Sequence, residues 1–431
     1  GRDVDVTTGR KNEAECAIAA SPVDPGYVYS LCCNSNRMMI GARSVDGGAH
    51  WQKGVGPKGD GPYPVPYCDP SIAWDDFGNL FVAYVGPQGE LAVLLSVDDG
   101  DTFTKLKAFA GQSDQPTIVA GHASGYGGPL PVWLVWNRAR EMFAAGILVT
   151  GRGAVGAFPA KAQPVPGTKD CSFGDVAISP GGAVVQACQM RDLPGDAPAD
   201  ILVSVDSDGL GMGGFTPATR SIATRVGWHD AIPPQPYRGI DAEVGLAFDA
   251  NPASVSFGRL YAVYTGEKAD PDGKDDSPDT DILVRFSNDL GTTWSDSVLV
   301  NDDGGTRSQF LPRIVTHPRT GDVMVCWHDA RKLVNETEVR VFCALAAPAA
   351  GPPRFSQNLP VSDCPSTTSK EIPEFGDYAG LAFVGDAAHP IWADRSNSTG
   401  TNPDKTQTFD AYSDRVIPAA AISGVTVTCS H

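Results

Sequence analysis

The sequence predicts an all-β fold, a seven-bladed β-propeller with hairpin turns of a repeated type and a ring closed by the N-terminal strand. Three observations carry this reading. A turn motif occurs three times, short apolar runs recur seven times, and Gly 48 with Pro 35 makes turns frequent along the 431 residues. Self-similarity of this kind marks an array in which each unit buries its apolar face against the next.

The turn motif is Ser44-Val45-Asp46-Gly47-Gly48-Ala49-His50-Trp51, then Ser96-Val97-Asp98-Asp99-Gly100-Asp101-Thr102-Phe103, then Ser287-Asn288-Asp289-Leu290-Gly291-Thr292-Thr293-Trp294. A fourth copy, Ser204-Val205-Asp206, runs into a Gly-rich insertion. The Asp can accept turn N–H bonds, the Gly permits positive φ, and the aromatic can pack between units. Each copy therefore reads as a hairpin between the two outer strands of a blade.

The apolar runs are residues 28–33, 80–85, 132–136, 183–187, 260–264, 323–327 and 390–393, about one per 60 residues. Runs at 70–74, 116–120, 241–248, 312–316 and 378–383 precede five of them and read as inner strands around the axis. Residues 4–7 are expected to pair beside 409–415, which would remove the open edges of the ring. No linker or composition break interrupts the chain, so 1–431 reads as a single propeller domain.

A net charge of -18 repels phosphate backbones and argues against nucleic acid as a partner. No apolar run reaches the length of a membrane span, and no signal peptide is present. Gly1-Arg2 reads as the start of a mature, secreted chain, and a closed ring predicts a monomer. Ten cysteines lack metal-binding CxxC spacing. Cys171 and Cys188, Cys326 and Cys343, and Cys16 and Cys33 share a separation of 17, which suits bridges between neighbouring strands in an oxidising compartment. Asn335-Glu336-Thr337 and Asn397-Ser398-Thr399 are glycan acceptors in a eukaryotic source.

In a propeller the inner strand of a blade starts at the top face, and the second strand returns to it. Asp69, Asp114, Asp170, Asp241 and Asp377 stand at inner-strand starts. The expectation is that several converge on a hard cation such as Ca2+, because buried carboxylates on an axis need a counter-ion. No organic cofactor is expected. Second-strand ends supply Arg138, Arg191, Lys268, His328, Arg331 and Arg395. Arg313 stands near the start of the sixth inner strand, and the loop before the fifth blade adds Trp228, His229, Tyr237 and Arg238. Among the histidines, only His229 and His328 fall near the top; His50, His122, His317 and His389 fall on the rim or far face. This lining suits one asymmetric site for a polar sugar, with a polysaccharide or oligosaccharide as the expected partner.

The turn motif, with Gln309–Pro312, Trp327-His328-Asp329-Ala330-Arg331, Gly376-Asp377-Tyr378-Ala379-Gly380 and Trp392-Ala393-Asp394-Arg395, resembles the Asp-box or BNR repeats of secreted sialidase-like propellers. The Arg-Ile-Pro motif of true sialidases is absent, so the resemblance implies the architecture rather than that activity. A looser resemblance is to seven-bladed polysaccharide lyases such as fungal rhamnose–glucuronate lyases. It implies β-elimination at a uronic acid. Arg238, Arg313, Arg331 and Arg395 would then neutralise the uronate, His229 or His328 would take the C5 proton, and Tyr237 or Tyr378 would protonate the leaving oxygen. Two alternatives stay open: a glycoside hydrolase using axial carboxylates such as Asp241, Glu243 and Asp377, and a sugar-binding propeller without catalysis.

Overall fold

A computed structural model describes residues 2–36, 38–58, 63–121, 128–190, 200–227, 229–267, 279–331, 336–368 and 374–417. Arg191, Lys268, Trp228, His122 and the sequon residue Asn335 lie outside the described residues. The described chain is all-β apart from one 3-10 turn, Lys405–Gln407, and forms seven small antiparallel sheets plus one extra hairpin. Each sheet is a blade, as the repeat predicts. The inner strands, in chain order, are Glu13–Ala20, Cys68–Trp74, Ser113–Ala120, Cys171–Ile178, Gly245–Phe248, Gln309–Thr316 and Gly380–Val384.

The second strands are buried on both faces, because each is covered by the blade before and the blade after. Leu80–Val85 is buried at every residue, and Val323–Asp329 likewise. Such two-sided burial is why these strands read as continuous apolar runs rather than alternating ones. Aromatic side chains fill the wedges between blades, as where Phe109 of blade 2 lies 5.0 Å from Trp136 of blade 3. The ring closes as expected: Val4 and Asp5 pair with Ser413 and Tyr412, adding an outer strand to blade 7.

The repeated motif forms one turn three times. The Ser hydroxyl accepts the Gly N–H at 2.8–2.9 Å in blades 1, 2 and 5. The Asp carboxylate accepts the N–H of His50, Thr102 or Thr293 at 2.8–2.9 Å. Gly48, Gly100 and Gly291 sit at φ 86, 90 and 85, which a side chain would make strained. Phe103 then packs 5.9 Å from Tyr29 of the preceding blade. In blade 4 the insertion diverts Ser204, whose hydroxyl donates to the Thr216 carbonyl instead.

Four disulfides join Cys16 to Cys32, Cys33 to Cys68, Cys171 to Cys188 and Cys326 to Cys343, and Cys364 is also bridged. The expected match of Cys16 with Cys33 is thereby corrected. A bulge between Ala14 and Ala17 shifts the register of the inner strand, and neighbouring residues of a strand face opposite ways. Cys32 therefore meets Cys16 inside blade 1, while Cys33 faces blade 2 and meets Cys68. Replacing Cys33 and Cys68 together by Ser should cost about 3–4 kcal/mol, the loop-closure value for their separation of 35. Urea unfolding of the double variant checks this.

The hairpin between blades 4 and 5 pairs Asp230–Ile232 with Gln235–Ile240. It lies over the top of blades 6, 7 and 1, where Ile232 and Ile240 join Ala14, Phe310, Leu311, Phe375 and Phe409 in a separate apolar cluster. Polar bonds fix it there: Gln235 Nε2 donates to the Gly376 carbonyl at 3.0 Å, and Arg238 N–H donates to Glu374 at 2.9 Å. The segment expected to be a loop is thus a cap on one side of the ring.

Candidate functional site at the axis

The inner strands of blades 1, 2, 3, 4 and 6 share a bulge near their top ends. At each bulge one residue takes the left-handed conformation: Glu15, Asp69, Gln115, Phe173 and Leu311, with φ between 38 and 53. Glu243 of blade 5 holds the matching place at φ 48, just before Gly245–Phe248. Non-glycine residues held this way cost about 1 kcal/mol or more each and gather where strain serves a site. Here the strained positions of blades 1, 2, 3 and 5 bring Glu15, Asp69, Gln115 and Glu243 to the axis, whereas Leu311 packs in the cluster beneath the cap.

Three of those side chains are carboxylic acids, and Asp114, Asp175, Asp241 and Asp377 stand beside them. Their countercharge comes from two arginines. Arg238 reaches down from the cap hairpin and forks onto Asp377 while also pairing with Glu15. Arg313 lies 3.9 Å from Glu243, donates to the Ala379 carbonyl at 2.8 Å, and lies 5.5 Å from the Tyr378 ring. Asp175 is satisfied by the backbone N–H groups of Val176 and Leu246, both at 2.8 Å. Asp241 accepts the His229 backbone N–H at 3.2 Å, and the His229 ring stands 3.8 Å away. Asp69 and Asp114 hydrogen-bond to each other, and Asn137 donates to Asp114 at 3.3 Å.

Below this ring the axis holds a cavity of about 170 Å³, lined by the inner strands of blades 1, 2, 3, 4, 6 and 7, by Glu243 just before that of blade 5, and by Tyr378. At about 30 Å³ per water it has room for roughly six waters. Burial raises the Glu243 carboxyl to about 8, with Arg313 opposing and Asp377 and Asp175 adding to the rise. Burial likewise raises Glu15, against the pull of Arg238. Asp69 and Asp241 are held well above the usual carboxylate range by burial and by their acidic neighbours.

These shifts make stability depend on pH in a definite direction. Unfolded glutamates lose their protons near 4.5, while Glu243 keeps its proton to about 8 in the fold. Between those values the folded chain binds more protons, so stability falls as pH rises. The contribution is complete below about pH 4.5 and gone above about pH 8. The melting temperature should be higher at pH 5 than at pH 8.5, as read by scanning calorimetry.

The residues expected at the site divide sharply. Tyr378, Arg313, Arg238, Asp69, Asp114, Asp241 and Asp377 converge on the axis, with His229 at its edge. His328 does not: it is 1% exposed, with its ring 5.3 Å from Phe310 and 5.2 Å from Phe375, and neither nitrogen has a partner. Burial lowers its pKa to about 3, so it is a core residue beneath the cap rather than a base. Arg331 is bound to Asp329, Asp302 and Asn358 within blade 6. Arg395 donates to the Thr406 carbonyl at 2.7 Å in the last blade. Asp170 pairs with Arg140 at 2.8 Å, outside the axial ring. Tyr237 is 58% exposed on the hairpin. Of the five Asp considered for a cation, Asp170 stands apart on Arg140 and Asp377 is bound by Arg238, while Asp69 and Asp114 lie side by side. Glu15 and Asp175 went unforeseen, although Glu15 precedes the 28–33 run much as Asp69 precedes the 80–85 run.

No family model and no curated protein matches the chain. Among solved structures it is similar to the α-L-arabinanase of Penicillium chrysogenum complexed with arabinobiose, at 12% identity over 85% of this chain and 97% of that one, TM-score 0.45. It is similar to a K499G mutant of NanB sialidase from Streptococcus pneumoniae, at 11% identity over 96% and 70%, TM-score 0.44. A third is AofleA from Arthrobotrys oligospora, at 11% identity over 84% and 91%, TM-score 0.44. At these values the likeness concerns the fold, and no chemistry is carried across by it. The chain is a seven-bladed β-propeller.

Proposed function

We propose that this propeller is an extracellular glycoside hydrolase acting on a neutral sugar at the axial mouth. The observation that carries the reading is the pairing of two unlike carboxyl groups there. Glu243 lines the cavity and keeps its proton to about pH 8, whereas Asp377 is held by the Arg238 fork. Two carboxyl groups in such different surroundings suit acid and base roles on one glycosidic bond. Glu243 would protonate the leaving oxygen, and Asp377 would activate water or attack the sugar carbon. Arg313 and Tyr378 would hold the ring. The disulfides support an oxidising compartment.

Elimination at a uronate is less well supported. The enclosure of His328 removes one expected base, and the carboxyl groups at the mouth outnumber the two arginines that would have to receive an acidic sugar. The test is incubation with neutral and uronate-containing polysaccharides, following product mass and ultraviolet absorbance together. Hydrolysis gives products carrying an added water and no new absorbance. Unsaturated products would overturn this reading in favour of a lyase, and binding without turnover would favour a sugar-binding propeller.

A further inference from the structure

A second group of carboxylates is buried away from the axis, at the seam where the ring closes. Asp5 lies on the N-terminal strand, Glu13 opens the inner strand of blade 1, and Asp410 opens the blade 7 strand that pairs with the N-terminal one. Their exposures are 5%, 0% and 0%. Asp5 accepts the Thr8 N–H at 2.7 Å and the Thr401 hydroxyl at 2.8 Å. Glu13 accepts the Ala411 N–H at 3.2 Å, the Asn34 amide at 3.4 Å and the Thr7 hydroxyl.

Asp410 differs. It lies within hydrogen-bonding reach of another acid, Asp5, and both its carboxylate oxygens are sealed from solvent with no N–H or hydroxyl donor. The Thr408 hydroxyl, two residues earlier on extended backbone and so on the same side, is also buried and unpaired. Among the described residues no Lys, Arg or His is ion-paired with any of the three acids; Arg10 is engaged by Asp404 at 3.3 Å. Three sealed acids with no countercharge are strongly unfavourable unless something positive joins them.

We propose that Asp5, Glu13 and Asp410 bind a hard divalent cation, with Ca2+ the best match to their all-oxygen donors. Ca2+ accepts carboxylates, hydroxyls and water in a flexible shell, whereas Mg2+ demands a near-ideal octahedron. The three acids are not drawn into a cluster within 4.8 Å of one another, so the ion meets Asp5 and Asp410 directly and reaches Glu13 through water. It ties the N-terminal strand, the first blade and the last blade together at the one place where chain connectivity does not.

The protein, treated with EGTA and desalted, is titrated with CaCl2 by isothermal calorimetry, with melting curves in parallel. One equivalent should bind with a Kd of about 10⁻⁴ M or tighter and raise the melting temperature. Asp410→Asn should lose that equivalent, and Asp69→Asn, at the axis, should keep it. Thr401→Ala removes only a hydroxyl that holds Asp5 and should weaken Ca2+ affinity several-fold, which keeps the test open should Asp410→Asn fail to fold. Absence of both heat and melting shift would overturn the proposal, since the acids would then be neutralised by protons alone. Retention of the full equivalent by Asp410→Asn, or unchanged affinity in Thr401→Ala, would overturn it as well.

Discussion

Glu243→Gln should lower kcat on natural glycosides by about 10²–10⁴-fold, the range for removing a general acid. Gln keeps the size of the side chain and its place above the cavity but has no acidic proton to give. An acid role for Glu243 predicts an alkaline fall in activity near pH 8, which should vanish in the same variant. The decisive comparison uses aryl glycosides with nitrophenol leaving groups, which depart without protonation. On these the variant should recover most of its rate. An equal loss on both substrate types would mean that Glu243 supports the fold of the site and does not donate the proton.

Arg238→Ala should destabilise the protein by about 3–5 kcal/mol, the range for removing one partner of a buried ion pair. The guanidinium is 22% exposed and binds Glu15 and Asp377, whose side chains are 5% and 15% exposed. Its loss leaves two enclosed carboxylates without countercharge and removes the hairpin's side-chain fork onto Asp377, while the backbone N–H of residue 238 still donates to Glu374. Arg238→Lys, which keeps the charge but not the fork, should fall between. Denaturant unfolding at two pH values separates charge from packing. At pH 5 protons can replace the missing guanidinium, so the penalty should shrink. A penalty equal at pH 5 and pH 8 would assign Arg238 a packing role instead.

The blades were legible because their signals are local. A Ser-x-Asp-x-Gly turn is fixed by its own hydrogen bonds, and a strand buried on both faces announces itself as an apolar run. Ring closure by residues 4–7 was legible for a related reason, since an unpaired edge demands a partner. What escaped depended on the third dimension. His328 stands at the top end of its strand, as its position implied, but the 230–240 hairpin and Phe375 arrive from distant parts of the chain to cover it. Asp170 and Asp114 occupy similar sequence contexts, yet Arg140 draws the first outward while the second faces Asp69. Cys16 was matched to the wrong member of a vicinal pair because one bulge residue changes which face a cysteine occupies. Glu15 carried a usable signal in its distance from the second strand, but no turn residue marked it.

The bulges near the inner-strand tops of blades 1, 2, 3, 4 and 6, with the matching turn at Glu243, act as sockets. The backbone alone sets the height and direction in which a side chain leaves the wall, so the occupant can change while the scaffold stays as it is. Glu, Asp, Gln, Phe, Glu and Leu fill six of these sockets in blades 1 to 6. A site held on loops must redesign its supports to exchange one functional group for another. Here a single codon at residue 69, 115 or 243 would place a new group at the mouth on the same backbone, whereas residue 15 is tied to Arg238 and residue 311 to the cluster beneath the cap. The chemistry of the axis can therefore drift blade by blade, while the ring that carries it remains recognisable.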